Sequence, residues 1–200
     1  MARSVSRPKS SLRKGPRNGS PSQWVWAVVL LLVVVAGAIY VRQVRLKEVS
    51  GTGTPDVVTI ETSKGIIEME IYPDLCPVTV ANFEGLADAN FYNGLIFHRV
   101  ENWVIQTGDP QGTGHGGSEK TIKLEINRKL SNVRGAVGMA RSTDPNSASS
   151  QFYILKNDAK SLDGNYAIFG MVTRGMDVVD KISIGDRMVS VTVKKGTPAE

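Results

Sequence analysis

The hydrophobic pattern divides the chain into one uninterrupted apolar run near the N-terminus and a longer region of short apolar segments. In the longer region, residues 57–62 and 66–72 are rich in β-branched side chains, and the second segment alternates apolar and acidic positions. Alternation with a period of two is typical of half-buried strands, and the turn residues Ser63, Lys64 and Gly65 separate the two segments. This pattern predicts a β-hairpin.

Two other segments have helical periodicity. Apolar side chains recur at helical spacing over residues 78–87, directly after Pro77, which suits the first turn of a helix. A second short helix is predicted over residues 175–182, where apolar positions again share one side.

Several further short apolar segments alternate with glycine-rich turns, and each of them predicts a strand. Together with the hairpin they give a mainly β domain with two helices, for which a closed barrel is the expected architecture. The chain is long enough for one such domain and a tail. The additional predicted strands cover residues 94–100, 104–106, 135–140, 151–155, 167–172 and 188–193.

The uninterrupted apolar run covers residues 24–41, from Trp24 to Val41, and contains no charged side chain. At about 1.5 Å per residue, a helix of this length approaches the roughly 30 Å thickness of the hydrocarbon core of a membrane. Trp26 and Tyr40 also lie near its ends, where aromatic rings prefer the headgroup layer. The run predicts a transmembrane signal-anchor helix, so we expect a membrane to be one partner of this chain.

The charges on either side of the apolar run predict its orientation. Six Lys or Arg residues precede it and three follow closely, which places the N-terminus in the cytosol. The protein is then a single-pass type II membrane protein, with its domain in the lumen of the endoplasmic reticulum or Golgi, or secondarily outside the plasma membrane. The predicted segments are a disordered basic tail at 1–23, a linker at 42–55, a domain at 56–194 and a C-terminal tail at 195–200.

A cleaved signal peptide is the competing interpretation of the apolar run. Ala36, Gly37 and Ala38 form an Ala-x-Ala cleavage pattern after it. The long basic leader, and an apolar run longer than the usual signal-peptide core of about 7–15 residues, favour a retained anchor. Both alternatives remain open at the level of sequence.

The net charge of +5 arises in the N-terminal region alone. Of the 24 Lys and Arg residues, nine lie within the first 50 positions, against one of the 19 Asp and Glu residues. These 50 residues therefore carry +8, and the remaining 150 carry −3. A slightly acidic domain lacks the electrostatic footprint for a phosphate backbone, so we expect no nucleic-acid partner.

Residues that commonly act as nucleophiles or metal ligands are scarce. The chain has two His residues and a single cysteine, Cys76, which has no Cys or His partner at zinc-ligand spacing. We therefore expect neither a metal nor a cofactor. The more unusual feature is an Arg, an aromatic residue and an amide placed on one strand-loop-strand segment, residues 97–109.

This segment, FHRVENWVIQTGD, resembles the signature segment of the cyclophilins. The resemblance continues in the same order through a glycine-rich loop at 110–117, a central block at 139–154 and the short motifs near 162–164 and 169–170. It implies an eight-stranded antiparallel β-barrel with a helix over each end, in agreement with the strands predicted above. It also implies peptidyl-prolyl cis-trans isomerase activity.

The resemblance also implies which residues form the site. Arg99 matches the catalytic Arg of the family, and Gln106 matches the amide that supports it and contacts the substrate backbone. The positions that match substrate-binding residues are Trp103, Val104, Tyr153 and Leu162 in the proline pocket, Ala140, Arg141 and Gln151 along the peptide groove, and Tyr166 at its edge.

Four of the matched positions depart from the family pattern. Trp103 and Tyr153 stand where Phe is usual, and the loop before Trp103 is one residue shorter. Ser161 replaces a Trp that is linked to cyclosporin binding, and Tyr166 stands where His is common. We expect reduced activity and weak cyclosporin binding.

Two functions are therefore compatible with the sequence. The first is an isomerase that rotates X-Pro bonds of client proteins and assists their folding. The second is a catalytically weak or inactive module that holds proline-containing segments near a membrane, and a membrane scaffold based on the anchor alone ranks third. In the first two cases the partner is a proline-containing polypeptide, and we expect the domain to be monomeric.

Overall fold

The computed structural model describes residues 30–34 and 54–197. The chain divides into two units, Met1–Val44 and Arg45–Glu200. In the first unit residues 30–34 are helical and exposed, and within the described residues no helix is both long and apolar enough to cross a membrane. The tail at 1–23, the rest of the predicted membrane helix at 24–41 and most of the linker at 42–55 lie outside the described residues.

The second unit is built on one eight-stranded sheet in which every pair of strands is antiparallel. Across the sheet the order is β3-β4-β6-β5-β7-β2-β1-β8. The mainly β fold predicted from the periodicity is therefore confirmed. The strands are β1 (Asp56–Thr62), β2 (Gly65–Ile71), β3 (Arg99–Val100), β4 (Val104–Thr107), β5 (Ala136–Met139), β6 (Phe152–Leu155), β7 (Ile168–Arg174) and β8 (Met188–Lys194).

The predicted hairpin forms between β1 and β2, with Thr62 opposite Gly65 at the turn. Alternate side chains of β1 are buried, including Val58 and Ile60, and the same alternation places Met69 of β2 in the core. The period-two pattern of the sequence thus sets which face of this hairpin packs inward.

The strand predicted at 94–100 is the main departure, because only Arg99 and Val100 pair as a strand. The residues just before Arg99 form backbone hydrogen bonds with the segment that precedes β8 instead of with β4. The N–H of Phe97 donates to the carbonyl of Asp186 at 2.8 Å, and Ile96 forms an isolated antiparallel bridge with Arg187. These contacts connect the segments that precede the two end strands of the sheet.

Both predicted helices form, as α1 (Pro77–Asp88) and α2 (Met176–Lys181). Helix α1 packs against β8, and α2 packs against β2. No local side chain caps α1, and the carboxylate of Glu125 fills that role from a distant segment, accepting the N–H of Val78 at 3.1 Å and of Thr79 at 2.6 Å. An anion at this end of a helix satisfies free N–H groups and complements the helix dipole.

A buried acidic pair connects β1, α1 and the C-terminal end of the domain. Asp56 is 5% exposed and Glu84 is 7% exposed. Lys195 forms an ion pair with each of them, and the N–H of Gly196 donates to Asp56 at 2.6 Å. Residues 195 and 196, predicted as part of a tail, therefore contact the folded domain, and burial together with the neighbouring Asp56 raises the pKa of Glu84.

Replacing Lys195 by Met is expected to lower the free energy of unfolding by about 1–3 kcal/mol near neutral pH, because two buried carboxylates lose their cation. Since the pKa of Glu84 is raised in the folded state, proton uptake by Glu84 favours folding as the pH falls, so the loss should be smaller at a mildly acidic pH than at neutral pH. Urea denaturation at both pH values measures this. The matched control is Lys194→Met, and equal unfolding free energies for the two variants at both pH values would contradict the prediction.

Candidate active site

Strands β3 and β4 position the two residues predicted to be catalytic. Arg99 and Gln106 are directly opposite each other in the antiparallel pair, so their side chains lie on one face. Nη1 of Arg99 donates to Oε1 of Gln106 at 3.2 Å. Nε2 of Gln106 in turn donates at 2.8 Å to Oε1 of Gln151, the residue immediately before β6. The structure thus brings the three predicted polar residues into one hydrogen-bonded line.

Gln151 is held by the glycine-rich loop. Its Nε2 donates to the carbonyl oxygens of Gly114, at 3.0 Å, and Gly116, at 2.7 Å. Because this amide nitrogen donates to the loop, the amide oxygen of Gln151 faces Gln106 and must accept from it. The direction of every hydrogen bond in the line is therefore set, and it ends with an oxygen turned toward Arg99.

The same loop is folded around a buried carboxylate, that of Asp109, which is 1% exposed. The carboxylate accepts the N–H groups of Gln111 at 2.8 Å, Thr113 at 2.9 Å and Gly114 at 2.6 Å. Burial acts to raise the pKa of Asp109, but these N–H donors outweigh it and hold the pKa below its usual range. An ionised carboxylate thus fixes the loop whose carbonyls orient Gln151.

Arg99 has a second partner that the sequence analysis did not single out. Oε1 of Glu101 accepts Nε–H of Arg99 at 2.6 Å, and Oε2 accepts the indole N–H of Trp103 at 2.7 Å. The guanidinium carbon lies 5.3 Å from the centre of the Trp103 ring. The hydrogen bond from Arg99, followed by that from Trp103, lowers the pKa of Glu101. Arg99 remains 43% exposed, and its Nη2 donates to none of the described residues.

The predicted apolar pocket residues largely come together beside this line. Val104 and Tyr153 belong to one buried cluster, and Trp103, Ala140 and Tyr166 pack against it. The rings of Tyr153 and Tyr166 meet edge to face, with centres 5.9 Å apart. An apolar floor therefore lies next to a partly exposed cation.

Tyr153 directs its hydroxyl group away from solvent. The hydroxyl donates to Oδ1 of Asn132 at 2.8 Å, and Nδ2 of the fully buried Asn132 donates to Asp163 at 2.9 Å. Gly138 lies opposite Tyr153 across β5 and β6, where any Cβ atom would overlap the phenol ring. The extra oxygen of Tyr relative to Phe therefore has a partner in the protein.

The other two predicted substrate contacts lie at the periphery. The guanidinium of Arg141 stacks on Tyr166, 4.9 Å from the ring centre, and its Nε donates to the carbonyl of Asn165 at 2.9 Å. Leu162 is half-buried on the 3-10 turn Lys160–Leu162 and, within the described part of the chain, is not among the residues packed on the Tyr153 cluster.

Four polar residues of this site escaped the sequence analysis. Glu101 lies two positions after Arg99, a spacing at which an acid beside an Arg could have been noticed. Asp109 lies within the segment that carries the family resemblance. Its carboxylate accepts hydrogen bonds from the glycine-rich loop that follows. Asn132 and Asp163 are 31 positions apart, so no local pattern connects them.

This geometry limits the chemistry that the site can perform. The carboxylate of Asp109 accepts the hydroxyl of Thr113 as well as N–H groups of the loop, and that of Glu101 accepts from Arg99 and Trp103, so both already accept hydrogen bonds from the protein. A partly exposed guanidinium beside an apolar floor can bind a neutral apolar group and stabilise developing electron density by hydrogen bonding. Neither step requires a covalent intermediate.

Comparison with known proteins shows which proteins this chain is similar to. The family model described as cyclophilin type peptidyl-prolyl cis-trans isomerase/CLD matches residues 57–197. A peptidyl-prolyl cis-trans isomerase from Acinetobacter baylyi is 44% identical over 137 residues, which cover 64% of this chain and 71% of that protein. The human peptidyl-prolyl cis-trans isomerase-like 3 is 41% identical over 130 residues, covering 62% and 80% of the two chains.

Solved structures show the same relationship. A cyclophilin type peptidyl-prolyl cis-trans isomerase from Cryptosporidium parvum, crystallised in the presence of the dipeptide Ala-Pro, has a TM-score of 0.66 at 28% identity, covering 70% of this chain and 99% of that one. For the cyclophilin AquaCyp293 from Hirschia baltica, which shows likeness of fold alone, the TM-score is 0.62 at 21% identity, with 72% and 78% covered. The chain belongs to the cyclophilin family and is a cyclophilin-type peptidyl-prolyl cis-trans isomerase.

Proposed function

We propose that Arg99 is the catalytic residue of this isomerase and that Gln106 and Gln151 hold it and the substrate backbone in place. An X-Pro bond prefers trans by only about 0.5–1 kcal/mol, but amide resonance maintains a barrier of about 18–20 kcal/mol. The enzyme therefore needs to weaken resonance in a bond whose two end states are nearly equal in energy. The proposal is supported chiefly by the Arg99 guanidinium, which is held at Nε and Nη1, has no partner at Nη2 among the described residues, and belongs to a side chain that is 43% exposed.

Rotation out of the plane returns the lone pair to the prolyl nitrogen, which then becomes a hydrogen-bond acceptor. An N–H of Arg99 directed at this nitrogen donates a hydrogen bond to the twisted form. In the planar forms the lone pair is delocalised, so the same N–H binds them only weakly. An interaction made only in the transition state raises kcat. We assign this contact to the outer edge of the guanidinium, where Nη2 has no partner in the described residues.

The proline ring is assigned to the apolar floor formed by Val104 and Tyr153, with Trp103 on one side. Holding the ring there fixes one half of the rotating bond, while the preceding residue turns. The neighbouring peptide is assigned to the groove beside Ala140, Arg141 and Tyr166, with Leu162 as an outer contact. The packing of Val104, Tyr153, Trp103, Ala140 and Tyr166 in one cluster supports this assignment.

Turnover below the usual level of the family is also part of the proposal. Trp103 is bulkier than the usual Phe, and its indole N–H is hydrogen-bonded to Glu101. This bond restricts the positions that the Trp103 ring can take at the side of the pocket. A lost apolar contact costs about 1–3 kcal/mol, or roughly 10- to 200-fold in rate. Weak cyclosporin binding is proposed for a related reason, since the exposed Ser161 supplies little apolar surface where other members have Trp.

We further propose that the isomerase acts beside a membrane, as a single-pass type II protein with its domain in the lumen of the endoplasmic reticulum or Golgi. The uncharged run at 24–41 and the excess of basic residues before it support this. The helical residues 30–34, which include the 68%-exposed Leu30, agree with it. Clients would then be proline-containing chains in the secretory pathway.

For the domain itself, we propose a closed barrel that acts as a monomer. Closure would pair the segments before β3 and β8, and the bridge between Ile96 and Arg187 supports it. The N–H of Gly94 adds a further contact by donating to the carbonyl of Met188 at 2.7 Å. A closed sheet leaves no edge free for pairing with another copy.

A binding module without turnover is the second candidate, and one observation favours it. Arg99 already forms an ion pair with Glu101, which offsets part of the positive charge available to a substrate. The apolar floor would still accept a proline ring in that case. Titration with an Ala-Pro peptide followed by NMR would then show binding at the groove without exchange between cis and trans forms.

The Arg99→Ala variant tests the proposed role directly. Removing a hydrogen-bond donor that acts in the transition state is expected to lower kcat/KM by about 100- to 1,000-fold in a protease-coupled assay on a short Ala-Pro peptide. The exposed Arg128, which has no side-chain partner among the described residues, provides the control Arg128→Ala. Equal rates for the wild type and the Arg99→Ala variant would refute the catalytic role and leave the binding module.

The Asp109→Asn variant tests the support of the loop. The amide nitrogen of the substituted side chain would be a donor facing the N–H donors of the loop, so some of these N–H groups would lose their acceptor. We therefore expect a loss of about 1–3 kcal/mol in unfolding free energy at neutral pH. We also expect lower kcat/KM, because the loop orients Gln151. Because the pKa of Asp109 is lowered by folding, its contribution is present above the unfolded-state pKa and disappears as the pH falls through the folded-state value. The difference between variant and wild type should therefore narrow in acid.

Urea denaturation as a function of pH measures this effect. The control is Asp88→Asn, at an exposed carboxylate near the end of α1. A constant difference between Asp109→Asn and the wild type from neutral to strongly acidic pH would show that the carboxylate charge does not hold the loop.

A further inference from the structure

Glu101 bridges two residues of the proposed active site. Its two carboxylate oxygens accept from different donors, Oε1 from Arg99 at 2.6 Å and Oε2 from Trp103 at 2.7 Å. The guanidinium also lies over the indole ring, 5.3 Å from its centre. Arg99, Glu101 and Trp103 thus all contact one another, next to the apolar cluster of Val104 and Tyr153.

We propose that Glu101 is a positioning residue for catalysis, which sets the direction of the Arg99 guanidinium through its Nε atom and links it to Trp103. This inference rests on the proposed catalytic role of Arg99. With Nε held by Glu101 and Nη1 held by Gln106, Nη2 is the nitrogen of the planar group that has no partner among the described residues. The substrate then meets a donor whose direction is already set.

The relative strength of the contacts explains why Glu101 is needed. The bond to Gln106 is longer, at 3.2 Å, and its acceptor is a neutral amide. The bond to Glu101 is shorter, at 2.6 Å, and joins two charged groups. Charge-assisted bonds are roughly twice as strong as neutral ones, so Glu101 dominates the orientation of the guanidinium.

An exposed ion pair by itself contributes little to stability. Here Arg99 also contacts the ring of Trp103 and the amide of Gln106, so its long side chain is restrained from three directions. The restraint matters for a group that must be in place before the bond twists, because ordering it then costs no further entropy.

The bridge also gives a reason for Trp at position 103. A Phe side chain would fill the apolar wall but could not donate to Oε2 of Glu101. Without this second bond the carboxylate could rotate away from Arg99. The carboxylate at position 101 and the indole at position 103 are therefore complementary hydrogen-bonding partners. They lie two positions apart in the segment between β3 and β4.

Steady-state kinetics of the full chain on an Ala-Pro peptide tests the proposal. Glu101→Gln keeps the size of the side chain but leaves one acceptor oxygen for two donors and removes the charge. We expect kcat to fall about three- to tenfold with KM changed less than about twofold, as the release of one ordered side chain predicts. Asp88→Asn, which removes one exposed carboxylate on α1, should leave both constants unchanged.

An NMR measurement separates positioning from a general structural effect. The indole N–H signal of Trp103, identified by its absence in Trp103→Phe, should move in acid as the Glu101 carboxylate takes up a proton. In Glu101→Gln the signal should not titrate. Adding Glu101→Gln to the Trp103→Phe variant should lower kcat by a smaller factor than adding it to the wild type, because the two residues act together.

Three results would overturn the inference. Glu101→Gln could have the same kcat and KM as Asp88→Asn, or the indole signal could fail to shift in acid. In the third case KM would rise while kcat stayed unchanged, which would identify Glu101 as a substrate contact. If the wild type were no more active than Arg99→Ala, the proposed function and the positioning role would both fail. That case is distinguishable, because the indole titration reports the contact between Glu101 and Trp103 without any turnover.

Discussion

The site depends on one buried carboxylate, that of Asp109, which gathers the N–H groups of the glycine-rich loop. A buried anion is tolerated only when it is fully hydrogen-bonded, so the loop has one favourable shape around it. Its carbonyls at Gly114 and Gly116 then set Gln151, which sets Gln106, which faces Arg99. A charge at the base of a loop thus orients the amide oxygen of Gln106 that accepts one N–H of the Arg99 guanidinium.

The apolar half of the site is supported in a similar way from the opposite side. Asp163 holds Asn132, and Asn132 accepts the hydroxyl of Tyr153, so the ring that forms the pocket floor is fixed at its polar end. Polar and apolar halves are therefore both fixed before a substrate arrives. This suits a reaction without covalent steps, in which the rate depends on geometry already present in the free enzyme.

The local pattern of the sequence predicted most of the fold, and the family resemblance supplied the site. The hairpin, the two helices and most strand bounds follow from periodicity, because alternate burial acts on neighbouring residues. The segment at 94–100 forms a strand only at Arg99 and Val100, because residues 96 and 97 pair with residues 186 and 187, which lie far along the chain and give no local signal. Contacts such as Asn132 with Asp163, or Lys195 with Glu84, join distant residues and leave no periodic signal.

If catalysis requires an oriented planar guanidinium, the Arg99→Lys variant should lose activity although it keeps the positive charge. An ammonium cannot hold Glu101 and Gln106 on separate nitrogens while directing a third at the substrate. Two-dimensional exchange NMR on an Ala-Pro peptide measures the catalysed rate between cis and trans forms. Arg99→Lys is expected to slow this exchange toward the rate of the free peptide, and exchange at the wild-type rate would show that the positive charge alone is sufficient.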